Sequence, residues 1–182
     1  MKKQNTALLI IDMQRGMADA KAGRRNNPHA EGNVKQLLAT WRTAGRPVVH
    51  VRHMSRSPAS LFWPGQPGNE FQDSFMPLSS EHVVEKNVTD AFVNTGLERW
   101  LHVRGIKDLV IVGVSTNMSV EATARSAGNL GFVTTVVADA CFCFDRLDLH
   151  GKPQTAEEVH VHALTNLQGE YATVMDVASL LA

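Results

Sequence analysis

Four short apolar runs limit what this chain can fold into. Residues 7–11 (ALLII), 47–51 (PVVHV), 109–114 (LVIVGV) and 133–138 (VTTVVA) are rich in β-branched residues and do not alternate with polar ones. A strand with one face in water alternates, so strands that do not are covered on both faces, as parallel strands between helical layers are. Helical patterns fill the gaps. Residues 32–44 set Val34, Leu37, Leu38 and Trp41 on one face, and Gly45 follows as a C-cap. Residues 95–104 repeat this with Leu97, Trp100 and Leu101 before Gly105. The alanines of 119–130 predict a closely packed, buried helix, and 155–167 opens with Thr155 and Glu158 in capping-box spacing. Val83 and Val84 form a further short strand. Alternation of this kind predicts an α/β fold in three layers, a doubly wound, mostly parallel sheet with helices on both faces. With no repeat or linker, residues 1–182 are read as a single domain. The one irregular stretch is 55–80, rich in Pro, Gly and Ser. A loop that long in a compact domain is usually functional or mobile.

Charge excludes some partners. Lys plus Arg equals Asp plus Glu at 18 each, so no global field attracts nucleic acid or an anionic membrane. No run approaches the ~20 apolar residues of a membrane span. MKKQNTALLIIDMQ imitates a signal peptide, but its apolar run is too short and Asp12 ends it, so a cytoplasmic protein is expected. Cys141 and Cys143, one residue apart, are poorly spaced for a disulfide and incomplete as a metal site, and are expected to be buried reduced thiols.

In such sheets ligands bind beyond the carboxyl ends of the strands. That selects Asp12, His53, residues 115–119 and Asp139. An aspartate directly after an apolar strand is partly desolvated, which raises its pKa and suits it to proton transfer; the same position suits a turn or helix cap. Lys86, in HVVEKNVTDAF, stands near a strand end, where it is either buried or solvated beside Glu85. In GVSTNMSVEATARSA the strand ends at Val114 and a helix begins near Ser119. A side chain at a helix start can attack a carbonyl while nearby N–H groups hold the oxyanion. Ser119 is equally a natural N-cap there, with Thr116 and Glu121 as ordinary helix-start residues.

The stretches ALLIIDMQRGM, FWPGQPGNEF, VVEKNVTDAFVNTGLERWLHVRGI, LVIVGVSTNMSVEATARSAGNLGF and VVADAC follow one another in the order and at the spacing of the isochorismatase-like (cysteine hydrolase) superfamily, and TAEEVHVHALTNLQGEYATVMDV is similar to its closing helix and strand. This resemblance implies a hydrolase of small-molecule C–N bonds, with Asp12 and Lys86 as two members of an Asp–Lys–Cys triad and Ser119 where the cysteine falls. It further implies a cis peptide at Val114–Ser115, the N–H groups of Ser115 and Ser119 as an oxyanion hole, and a homo-oligomer, dimer or higher.

Serine at 119 is the departure. A thiol starts near pKa 8.5 and needs little help to ionise, whereas an alkanol needs a matched base. Three explanations stay open: a deliberate exchange of cysteine for serine, a natural member that hydrolyses a vinyl ether through the aspartate without a covalent step, and a member that binds a small molecule without turning it over. Cys141 and Cys143 are read as pocket wall or core, not as substitute nucleophiles. Relatives that bind a divalent ion use an Asp and two His residues; HVRHMS here lacks that trio, and His50 and His53 are not spaced to chelate together, so no catalytic metal and no cofactor are expected. His160 and His162, i and i+2 on the last helix, are equally unsuited to share a ligand. His53, Phe62, Trp63, Gln66, Asn117 and Phe142 are the expected pocket lining, suited to a small, flat, mostly neutral carbonyl compound, and the aromatics of the long loop, Trp63 among them, are equally suited to a subunit interface.

Overall fold

The structure, a computed structural model, describes residues 5–182. Its strands are β1 (Thr6–Ile11), β2 (Val48–His53), β3 (His82–Lys86), β4 (Asp108–Val114), β5 (Val133–Phe142), a small antiparallel pair β6 (Arg146–Leu147) and β7 (Pro153–Gln154), and β8 (Thr173–Met175). The helices are α1 (Ala30–Thr43), α2 (Leu97–Val103), α3 (Glu121–Asn129), α4 (Ala156–Leu167) and α5 (Val177–Leu181). Six strands form a sheet in the order β3-β2-β1-β4-β5-β8, with every neighbouring pair parallel. Among the described residues no helix is long and apolar enough to cross a membrane.

The unalternating runs are covered on both sides. Leu8 and Ile10 pack with Val34, Leu37, Leu38 and Trp41 of α1 and with Val177 and Leu180 of α5. Ala7, Leu9 and Ile11 pack with Leu97 and Leu101 of α2, Ala124 and Ala127 of α3, and Leu167 of α4. Strand order reverses between β1 and β4, which opens a crevice beyond their carboxyl ends. Gly113 lets these two strands approach: its φ is 119°, and a Cβ there would lie 2.2 Å from the carbonyl oxygen of Ile11.

Where sequence and structure differ, local hydrogen bonds explain it. β5 continues past residue 138 because its register slips: Ile111 pairs with Val136, but Gly113 pairs with Cys141. Asp139 lies in this irregular stretch, where its Oδ1 accepts from the N–H of Val177 (3.0 Å) and holds α5. The slip turns Phe142 into the core, fully buried, with the Arg25 guanidinium 3.9 Å from its ring centroid. Phe142 therefore lines no pocket, contrary to the sequence reading. α2 starts at Leu97 rather than 95, because Thr95 Oγ1 donates to the carbonyl of Ala91 (2.6 Å) and accepts from the N–H of Leu97 (3.3 Å). The Thr155–Glu158 capping box is present at the start of α4.

The long loop is pinned at two points. Asn69 is buried and donates to the carbonyls of His53 and Phe62, both at 2.8 Å. Glu81 accepts from Arg42 (2.7 and 2.8 Å), the Leu78 N–H (2.8 Å) and the buried His50 ring (2.9 Å).

Candidate active site

Three strand ends converge on one ammonium group. Asp12 follows β1 with φ 51°, a left-handed conformation uncommon for non-glycine residues, though aspartate adopts it more readily than most. Its backbone is fixed there by N–H donation to the Val51 carbonyl (2.9 Å) and acceptance from Gln14 N–H (2.7 Å). Lys86 closes the edge strand β3, whose side chains alternate: Val83 and Glu85 face solvent, Val84 and Lys86 face inward. Ser119 lies in a turn of π-helix, Thr116–Val120, that joins β4 to α3. Lys86 Nζ donates to Asp12 Oδ2 (2.7 Å), Ser119 Oγ (3.2 Å) and the Val88 carbonyl (3.2 Å), so each of its three protons has an acceptor. The residues are 1%, 2% and 7% exposed for Asp12, Lys86 and Ser119.

Electrostatics set Asp12 apart. Burial pushes its carboxyl above the ordinary aspartate value, and the Lys86 charge with hydrogen bonds from Lys86 and Ser119 only partly offsets this. Its Oδ1 is buried with no hydrogen-bond partner among the described residues. A carboxylate with one oxygen anchored and the other unengaged can exchange a proton with a bound molecule or with the hydroxyl beside it.

Ser119 is not the cap its position allowed. The helical turns begin at Thr116, with the N–H groups of Met118 (3.1 Å) and Val120 (3.2 Å) both on the Ser115 carbonyl, and the Ser119 hydroxyl is engaged by Lys86 instead. The Val114–Ser115 peptide is cis. Val114 is core. Ser115 Oγ donates to Asn117 Oδ1 (3.1 Å), which places Asn117 in the same turn as Ser119. A groove of about 320 Å³ bordered by Thr89, Asn117, Met118, Glu121, Ala122 and Arg125 runs along this turn. A larger one, about 440 Å³, lies between β3 and α2 around His82 and Trp100, and none of the three converging side chains lines it.

His53 is the register partner of Lys86 across β2 and β3 and shares its face of the sheet. Burial and the nearby Lys86 charge hold its imidazole below the usual histidine range, so it is neutral at neutral pH. The Phe62 ring meets it edge-on with centroids 6.1 Å apart. Trp63 and Gln66 follow on the same loop, Trp63 half-buried and Gln66 exposed. Cys141 and Cys143 are fully buried, and burial pushes each thiol up to about 12, which disfavours the thiolate that a nucleophile needs. Among the described residues no group of three or more His, Cys, Asp or Glu is placed to hold a metal ion.

Two supporting residues escaped the sequence reading. Gln14 is buried, accepts from the His53 N–H (2.8 Å) and donates to the carbonyls of His53 (3.0 Å) and Asn69 (2.8 Å), tying the Asp12 turn to β2 and the loop. His160 is buried with Nδ1 2.8 Å from Thr116 Oγ1. Gln14 had a signal, a polar residue two positions after the strand-end aspartate; His160 had none beyond its place on a helix.

A family model described as the isochorismatase domain matches residues 6–179. The isochorismatase family protein YrdC of Bacillus subtilis (strain 168) is 35% identical over 179 residues, 98% of this chain and 96% of that protein. Nicotinamidase 3 of Arabidopsis thaliana is 29% identical over 96% of this chain and 86% of its own length. Among solved structures, an isochorismatase-family protein from Chromobacterium violaceum ATCC 12472 superposes with a TM-score of 0.96 at 45% identity, covering 100% of this chain and 94% of that one.

Proposed function

Because the chain belongs to the isochorismatase family, we propose that it is a hydrolase acting on an amide-type C–N bond of a small molecule, with Asp12 moving the proton, Lys86 as its electrostatic partner and residue 119 as the point of attack. The observation that carries this reading is the single Lys86 ammonium bound at once to a buried, half-engaged carboxylate and to the Ser119 hydroxyl. Similarity to a nicotinamidase supports an amide as the substrate class.

In this reading the atom at residue 119 gives its proton to Asp12 and bonds to the carbonyl carbon. The N–H groups of Ser115 and Ser119 receive the oxyanion. The C–N bond then breaks, Asp12 returns the proton to the departing nitrogen, and the amine leaves. Water, deprotonated by Asp12, cleaves the acyl bond and restores residue 119. His53, Phe62 and Asn117 border the substrate. A serine makes the first step slow, since an alkanol is far less acidic than a thiol of pKa near 8.5. That hydroxyl favours one second reading: Asp12, its carboxyl raised by burial, protonates a vinyl ether and water completes hydrolysis with no covalent step.

The two readings separate in one set of assays. Ammonia release from a panel of small amides is measured for the unaltered chain and for Ser119→Cys, beside pyruvate release from isochorismate. The amide reading expects Ser119→Cys to exceed the unaltered chain. Pyruvate from the unaltered chain with no gain on amides selects the vinyl ether reading instead. Silence on every substrate in both forms rejects both.

A further inference from the structure

A π-helical turn is rare, occurring mostly as a single turn within a helix and frequently at functional sites. The turn that carries Ser119 is supported from α4. Thr116, its first residue, is fully buried, and its Oγ1 lies 2.8 Å from Nδ1 of His160, itself 4% exposed. The other ring nitrogen, Nε2, faces the Asn27 amide nitrogen at 3.5 Å. That nitrogen is a donor only, and it donates to the carbonyls of Cys141 (2.7 Å) and Ala138 (3.1 Å). Those two carbonyls take both amide protons, so Nε2 only packs against Asn27. Nδ1 and Thr116 Oγ1 share one hydrogen bond, made by whichever of the two carries the proton. His160 thus ties the helix α4 to the turn three residues before Ser119 and packs against the loop before α1.

We infer that His160 is a positioning residue: through Thr116 it fixes the turn that presents residue 119 to Asp12 and Lys86. The inference rests on the catalytic reading of those three side chains. His160 hydrogen-bonds to Thr116 and to none of those three side chains. A shift of this turn by an ångström carries the residue 119 side chain out of the reach of Lys86, and misplacements of that size cost up to about 100-fold in rate.

The test uses the full chain carrying Ser119→Cys, in which Cys141 and Cys143 are buried with their thiols pushed up to about 12. The alkylation rate of the thiol introduced at position 119 by iodoacetamide is followed against pH, which needs no knowledge of the substrate. His160→Leu and Thr116→Val, each added to this chain, are expected to slow alkylation roughly 10-fold at neutral pH and to raise the apparent thiol pKa. The two together are expected to be no slower than either alone. His160→Asn, which places a group able to donate or accept near the Nδ1 position, and Thr116→Ser are expected to restore most of the rate. Thermal unfolding establishes that each variant is folded; should His160→Leu not fold, the near-isosteric Thr116→Val carries the test. A folded His160→Leu or Thr116→Val that alkylates like its parent overturns the inference, as do losses that multiply in the double variant. A parent that alkylates no faster than a free cysteine overturns the catalytic reading beneath it, which is a separate failure.

Discussion

Lys86 is the residue on which the site turns, because removing it leaves a buried carboxyl without its counter-charge. Breaking one side of a fully buried pair costs about 3–5 kcal/mol, so Lys86→Met is expected to lower unfolding free energy by that order in urea titrations. Asp12→Asn keeps a polar group of the same shape beside Lys86. It is expected to lower turnover of the Ser119→Cys form by about 10²–10⁴, with the loss in kcat, while the protein remains folded. Glu81 tests the electrostatics elsewhere. Burial pushes its carboxyl up, but Arg42, the Leu78 N–H and His50 outweigh that and bring it down to about 2 from the usual 4.5. A carboxyl lowered on folding stabilises the native state fully above 4.5, and that contribution is lost as pH falls through 2. Glu81→Gln is therefore expected to lower stability at neutral pH and to flatten the stability profile between these limits, measured by urea unfolding across the acid range. A profile unchanged in slope would remove Glu81 from the account of how the loop is held. At this scale the sequence was uneven. Asp12 was legible because it ends an apolar strand. The burial of Phe142 was not, because a register slip in β5 reversed its face, and His160 was not, because hydrogen bonding between distant segments leaves no local pattern.

Elements were legible in proportion to how completely they are buried. β1 has all six side chains inside, so its sequence is apolar almost without a break. β3 buries only Val84 and Lys86, and its signal shrinks to two valines. The π-helical turn was invisible, since its residues also fit an ordinary helix start and the bond from the Val120 N–H to the Ser115 carbonyl, five residues back, distinguishes the two only in the structure. The close pass of β4 over β1 depends on Gly113. Gly113→Ala combines φ 119° with a Cβ 2.2 Å from a backbone oxygen that cannot move aside. It is expected to cost more than about 3 kcal/mol and to disturb both strand ends that frame the site. Thr155→Ala removes a cap whose Oγ1 accepts from the Glu158 N–H (3.2 Å). About 1 kcal/mol is the expected loss, read by chemical denaturation, with activity retained because the cap bonds only to Glu158 and to none of the three site residues.

For the whole molecule, a doubly wound sheet explains why groups 74 residues apart, as Asp12 and Lys86 are, share a hydrogen bond: parallel strands bring all carboxyl ends to one rim, and the reversal of strand order opens a crevice there. The order of strands and helices was readable because both layers leave a hydrophobic period in the sequence. The distances within the crevice were not, since they depend on a left-handed aspartate, a wide turn and an inward edge lysine acting together. The most direct measurement of the central claim is intact-mass spectrometry of the Ser119→Cys chain, quenched at short times after mixing with small amides. An acyl adduct that maps to residue 119, decays as water cleaves it and is absent when Asp12→Asn is added is the predicted result. No adduct with any amide, an adduct on Cys141 or Cys143, or one that forms equally well without the Asp12 carboxylate would contradict it.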